Sequence, residues 1–154
     1  MLNCLIEPIT EQKSGEALAL LARFFVEEGF PGSLPALQEN LTARLQDDGG
    51  AVLGAWQNGQ LVGVATIATG HDLEHGLYAE LEDLYVLPQE RGKGIGRALI
   101  NAAEEWSQRY GCTSLSVTVT PDGQTRHNLL LFYEKLGFTN TQRIILTQNL
   151  VEKA

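Results

Sequence analysis

The sequence is poor in cysteine: Cys4 and Cys112 are its only two among 154 residues, and they lie too far apart to form a metal-ligand pair. That excludes a disulfide-built scaffold and points to a reducing compartment, the cytoplasm. Basic residues are scarce as well, 11 Lys and Arg against 19 Asp and Glu, for a formal net charge of -8. Nucleic acid is therefore not an expected partner, because binding it needs a basic footprint. No apolar run approaches the ~18 residues that span a bilayer, and the opening MLNCLIEPI lacks the basic start of a secretory signal, so no membrane partner is expected. Linkers, repeats and low-complexity stretches are also missing, which predicts one domain over residues 1–154.

What is present is unevenly distributed. Residues 1–90 hold 3 basic against 14 acidic side chains, a balance of -11, while residues 91–154 hold 8 against 5, a balance of +3. One half could attract a cation and the other hold an anion.

Hydrophobic spacing predicts a mixed α/β chain. Residues 2–7 read as a strand closed by Pro8. Leu18, Leu21, Ala22 and Phe25 mark a helix ending at Gly29, and a second runs from Leu34 to Leu45. Strands Ala51–Gln57 and Leu61–Thr69 flank Asn58-Gly59, a strong hairpin signal because both central turn positions need positive φ. Residues 70–78 read as a loop and Ala79–Leu87 as a third strand. A long helix with apolar stripe Ile95, Leu99, Ala103 and Trp106 stops at Gly111. A strand at 114–119, a turn at 121–123, a helix at 126–136 and a last strand pair within 138–149 complete the reading. Trp56 and Trp106 look like core.

The segment LYVLPQERGKGIGRALI, residues 84–100, carries the clearest chemistry. A strand feeds a turn with glycines at 92, 94 and 96, and a helix opens immediately, exposing backbone N–H groups at its positive end. Glycine lets a diphosphate approach without a Cβ clash, and Arg91, Lys93 and Arg97 add charge. A Walker A loop needs Ser or Thr after Gly-Lys, but Gly94 follows Lys93. A dinucleotide fingerprint needs its third glycine one residue later and an acidic residue at the end of the next strand; Glu104 and Glu105 fall inside the helix.

Arg91-Gly92-Lys93-Gly94-Ile95-Gly96 resembles the R/Q-x-x-G-x-G/A motif of the GNAT acetyltransferase superfamily. Downstream, Phe132-Tyr133-Glu134-Lys135-Leu136-Gly137-Phe138 is similar to the tail of that family's closing helix, and the element order agrees over nearly the whole chain. The resemblance implies a mixed, mostly antiparallel central sheet flanked by helices, with a splayed strand pair at the acyl-CoA site. It implies acetyl-CoA as co-substrate, an amine as acceptor and a homodimer joined through residues 140–150. Backbone groups of Leu84, Tyr85 and Val86 would line the pantetheine, and amides from Arg91 through Gly92, Lys93, Gly94, Ile95 and Gly96 to Arg97 would hold the pyrophosphate. The family has an asparagine seven residues before the closing tyrosine; Arg126 stands there in this chain and Asn128 five before, so either is a cofactor contact.

Acyl transfer to an amine needs a base for the ammonium, a donor for the oxyanion and an acid for the leaving thiolate. Glu80 and Glu82 share one strand face by period-two alternation. The resemblance points to Glu80 as base, acting through water, with Glu82 second. Asp83 falls on the opposite face and meets a helix, unless a bulge flips the alternation. By resemblance Tyr133 is the acid and the Val86 amide the oxyanion donor. His71 and His75 are four apart, but the flanking Gly70 and Gly76 argue for a loop with no third ligand, so no metal is expected. The acidic first half favours a cationic small molecule, aminoglycoside-like or polyamine-like. Two alternatives stand beside it: a protein or peptide amine as acceptor, or an acyl-CoA sensor without turnover.

Overall fold

In the computed structural model, which describes residues 2–151, two compact units divide the chain, Met1–Thr118 and Val119–Ala154. The first holds one sheet whose five strands lie side by side in chain order. They are β1 (Leu5–Pro8), β2 (Gly50–Gln57), β3 (Gln60–Asp72), β4 (Gly76–Val86) and β5 (Leu115–Val117). All neighbours are antiparallel except β4 and β5, which run parallel. Helices α1 (Ser14–Glu28), α2 (Leu34–Gln46) and α3 (Ile95–Tyr110) flank the sheet.

Local signals set most boundaries. Asn58 and Gly59 both take positive φ, 50° and 76°, closing the β2–β3 hairpin as its turn type requires. Gly29 and Gly111 end α1 and α3 in the left-handed region. Ser33 caps α2, its hydroxyl accepting from the Ala36 N–H at 3.3 Å. The expectation of a loop at 70–78 does not hold. β3 and β4 stay paired through His71↔Leu77 and Asp72↔Gly76, and the three-residue turn between them ends at Gly76 with φ 71°. The Asp72 carboxylate accepts from the His75 backbone N–H inside that turn. Polar residues hid the hairpin because its tip stands in water.

The two sheet faces carry different helices. Val52, Val64 and Tyr85 pack with Leu20, Leu21 and Leu41 of α1 and α2. On the other face Gly63 lies against Leu99 and Ile95 of α3. Ile67, Leu81, Ile95, Leu99 and Ile100 are all but completely buried, each such side chain contributing about 2 kcal/mol of hydrophobic stabilisation. Trp56 and Trp106, read as core, are half-buried; Trp106 stacks on Tyr110 at 5.1 Å between centroids.

The second unit contains α4 (Pro121–His127) and α5 (Leu129–Lys135). The predicted turn at 121–123 is instead the start of α4, capped by Thr120, whose hydroxyl accepts from the Gly123 N–H at 3.0 Å. The predicted single helix at 126–136 is broken at Asn128, which sits at φ 49° and ψ 48°, a conformation asparagine tolerates better than most residues. The expected strand pair at 138–149 is not formed among the described residues. Ile144, Ile145 and Leu146 are consecutive and all exposed, without the one-sided burial that stabilises a strand. Among the described residues no helix is long and apolar enough to cross a membrane.

Candidate active site

β4 positions the site, and one irregularity in it decides what the strand presents. Leu81 pairs with Ile67 and Asp83 with Thr66, so Glu82 is an extra residue in the ladder, a β-bulge. Before the bulge, Ala79 and Leu81 face α3. After it, Asp83 and Tyr85 face α1 and α2. The expected alternation, with Asp83 opposite to Glu82, is therefore reversed. Glu80, opposite Ala68, also lies on the α1–α2 face.

The bulge turns the backbone as well. Ala79 donates to the Ser114 carbonyl of the β5 side at 2.9 Å, whereas Leu87 donates to Val62 of β3 at 2.9 Å. Alternation then points the N–H and C=O groups of Leu84 and Val86 away from β3. β5 no longer reaches them, since its pairing with β4 ends at Leu81↔Val117. The result is a splayed strand pair: among the described residues no strand pairs with β4 on that side at Leu84 and Val86. Tyr85 is turned away from that edge, its backbone towards β3 and its buried hydroxyl donating to Glu27 Oε2 at 2.7 Å.

Beyond β4, Gly92 and Gly94 take φ of 77° and 90°, a conformation L side chains rarely adopt, and open space surrounds both. Gly94 is the N-cap of α3 and offers no side chain to it. The first helical bond comes from Ala98 to the Gly94 carbonyl at 3.0 Å, so the N–H groups of Ile95, Gly96 and Arg97 have no intrahelical acceptor. Two of the turn's three cations are paired with carboxylates. Arg91 folds back, pairing with Glu27 of α1 at 2.8 Å and donating from Nε to the Val86 carbonyl at 2.9 Å. Lys93 pairs with Glu90 at 2.9 Å, while Arg97 is exposed. The backbone amides and the exposed Arg97 are the ready anion donors.

On the α1–α2 face a groove of about 420 Å³ has Leu21, Phe25 and Leu37 on its apolar wall and Asp47, Thr66, Glu82 and Asp83 at its polar end. Arg44 reaches in from α2, its Nη2 donating to Glu82 at 2.9 Å and Nη1 to Asp47 at 3.1 Å. Asp83 accepts a short hydrogen bond from the Thr66 hydroxyl. Burial pushes the Asp83 carboxyl above the usual carboxylate range, and the neighbouring Glu82 charge adds to that; Thr66 and Arg44 pull the other way. Glu80 is half-buried and lies one step along the strand from the groove lining. A larger hollow of about 560 Å³ sits at the outer sheet edge beside Cys4, Lys13 and Trp56 and contains none of the predicted site residues.

In the second unit Tyr133 is 6% exposed, in edge contact with Phe132 and Phe138. Burial pushes its phenol up to about 12. Arg126 pairs with Asp122 at 3.3 Å, and the Asn128 side chain accepts from Gln124 at 3.1 Å. Among the described residues no group of three or more His, Cys, Asp or Glu side chains is placed to hold a metal ion; His75 pairs with Asp72 in the hairpin turn.

Sequence reasoning missed Arg44 and Thr66, and it counted Glu27 only among the acidic residues of the first half, not as the partner of Tyr85 and Arg91. Arg44 left a signal, as one of just three basic residues in the first 90.

A splayed strand pair, an uncapped helix start and an acidic groove describe a group-transfer site for an anionic donor and a cationic acceptor. Residues 16–138 match the acetyltransferase (GNAT) family. The chain belongs to that family and is an acyltransferase. Over 112 residues it is 34% identical to an aminoglycoside N(6')-acetyltransferase type 1 of Stenotrophomonas maltophilia, covering 70% of this chain and 71% of the relative. Identity to the enzyme of the same name from Salmonella typhimurium (strain LT2) is 30% over 105 residues, covering 66% and 70%. The fold is similar to that of an aminoglycoside N-acetyltransferase solved in complex with CoA, with TM-score 0.84, 24% identity and coverage of 96% and 95%.

Proposed function

We propose that this protein transfers an acetyl group from acetyl-CoA to a primary amine of a polycationic small molecule, aminoglycoside-like or polyamine-like, by direct attack in a ternary complex. The observation that carries this reading is the bulge at Glu82, which gives β4 a splayed backbone edge and a carboxylate-lined groove together. The aminoglycoside acetyltransferases among its relatives support the same acceptor class.

The residues fit the donor. The N–H groups of Ile95, Gly96 and Arg97 suit a pyrophosphate, with Gly92 and Gly94 leaving space for it. Leu84 offers its N–H and C=O to an extended chain and Val86 its N–H, the Val86 carbonyl being held by Arg91 Nε. Acetyl-CoA supplies the activated thioester. Glu80 serves as base, removing the ammonium proton through water; Glu82 is second because Arg44 already neutralises it. The Val86 N–H donates to the developing oxyanion. Tyr133, protonated across the working pH range, donates its proton to the departing thiolate. Arg126 and Asn128 remain candidate donor contacts.

We further assign residues 1–154 to a single acetyltransferase domain, supported by a family match that runs across both units. A cytoplasmic location is consistent with the free thiols of Cys4 and Cys112. Homodimer formation through residues 140–150 is supported by the exposure of Ile144, Ile145 and Leu146, at 85%, 68% and 91%.

Thiol release from acetyl-CoA across a panel of amines tests the central claim. Release with polyamino sugars or polyamines is expected. Release only with peptide amines would replace the acceptor class, and tight CoA binding with no release for any amine would make the protein a sensor.

A further inference from the structure

The acceptor groove contains a cation of its own. Arg44 is permanently charged, and its guanidinium bridges Glu82 at 2.9 Å and Asp47 at 3.1 Å, with its side chain only 23% exposed. Such a planar fork holds two carboxylates better than a point charge could. Room for it is made at β2: a Cβ on Gly50 would stand 2.6 Å from Nη1 and 2.8 Å from Cδ of Arg44. A side chain at position 50 would displace the guanidinium. Of the groove's three carboxylates, Arg44 thus occupies two, leaving Asp83 with its Thr66 hydrogen bond. Any ammonium entering the groove meets Arg44 as a competitor for the same oxygens.

We infer that Arg44 is a specificity-determining residue of the acceptor groove: its guanidinium fills one ammonium position at Glu82 and Asp47, and so limits how many positive charges an acceptor can place there. The inference rests on the acetyl-transfer reading above. An acceptor with several ammonium groups loses one charge-assisted partner to Arg44, whereas an acceptor with one ammonium loses little. Uncovering Glu82 and Asp47 should therefore favour polycations selectively.

The test uses the full chain, acetyl-CoA and two acceptors, the monoamine glucosamine and the polyamino sugar neamine. Arg44→Gln is expected to lower the KM for neamine about tenfold, the effect of one added charge-assisted hydrogen bond. The KM for glucosamine should move by less than about twofold and that for acetyl-CoA should not move. In a Glu82→Gln background the same Arg44 substitution should lose most of its effect on neamine. Thermal melts check folding, and Arg44→Met is a second uncharged variant of similar length. A raised KM for neamine, or equal changes for both acceptors, would show Arg44 to be a structural brace and overturn the inference. A wild-type protein that turns over neamine while Arg44→Gln fails to prefer it sinks the inference alone. A wild type that releases thiol with no amine sinks the acetyl-transfer reading and the inference together.

Discussion

The turn before α3 and the groove beneath α2 are both reached from β4, one past the end of the strand and one on its α1–α2 face, and they deal with charge by opposite means. The turn is the basic part of the chain, yet Arg91 and Lys93 are paired with Glu27 and Glu90. What it offers an anion is chiefly main chain, three helix N–H groups without intrahelical acceptors, beside the exposed Arg97. The groove offers side chains, carboxylates that the bulge at Glu82 brings onto one face. Backbone donors are already oriented by the helix and carry no formal charge for a neighbouring acid to cancel. Carboxylates carry one, and Arg44 offsets it. On the proposed reading, donor recognition rests mainly on backbone conformation and acceptor recognition on charge balance.

That contrast breaks most visibly in the chemistry, which should leave binding on both sides intact. Glu80→Gln is expected to lower kcat about a hundredfold with both KM values nearly steady, whereas Glu82→Gln should act mainly on the amine KM. If the two variants exchange these effects, the base is Glu82. Tyr133→Phe should cost kcat by a similar factor, about a hundredfold, with acetyl-CoA affinity unchanged by calorimetry. Because the Tyr133 phenol lies at about 12, the wild-type rate should show no alkaline loss from it near neutrality; an alkaline limb that vanishes in the Phe variant at pH 8 would contradict this.

A smaller effect separates the two regions directly. Gly94→Asp should weaken acetyl-CoA binding at least about tenfold, combining repulsion with the ~1–2 kcal/mol strain of a side chain at positive φ. Gly94→Ala carries the strain alone and should weaken it less. Neither should change amine binding.

The smallest effect is one of stability. Asp83 has a folded pKa above its unfolded one, so the fold favours its protonated form. Its contribution to stability is greatest below the ordinary carboxylate range and is lost as pH rises through the folded pKa. Asp83→Asn should therefore melt higher than wild type at pH 7, with the difference shrinking towards pH 4. A gain that grows on acidification would reverse the assignment.

Much of the architecture was legible because its signals are local. Asn58-Gly59, Gly29 and Gly111 terminate elements through their own φ preferences, and the apolar stripe of α3 is a matter of spacing. The glycine turn was legible for the same reason. The hairpin at 72–76 was not, because its strands extend into water where no hydrophobic alternation is needed. Asn128 broke a continuous helical pattern through a conformation that spacing does not report.

By itself, then, the sequence determined the order of the strands and helices in the first unit, the glycine-bearing turn and the acidic character of the acceptor side. Those follow from residue-by-residue preferences and from composition. Tertiary structure alone decided which carboxylates share the groove, because one inserted residue at Glu82 reverses every side chain after it. It also decided which cations are available. Arg91 finds Glu27 across 64 positions and Arg44 finds Glu82 across 38, pairings between distant segments that charge counts along the chain cannot contain.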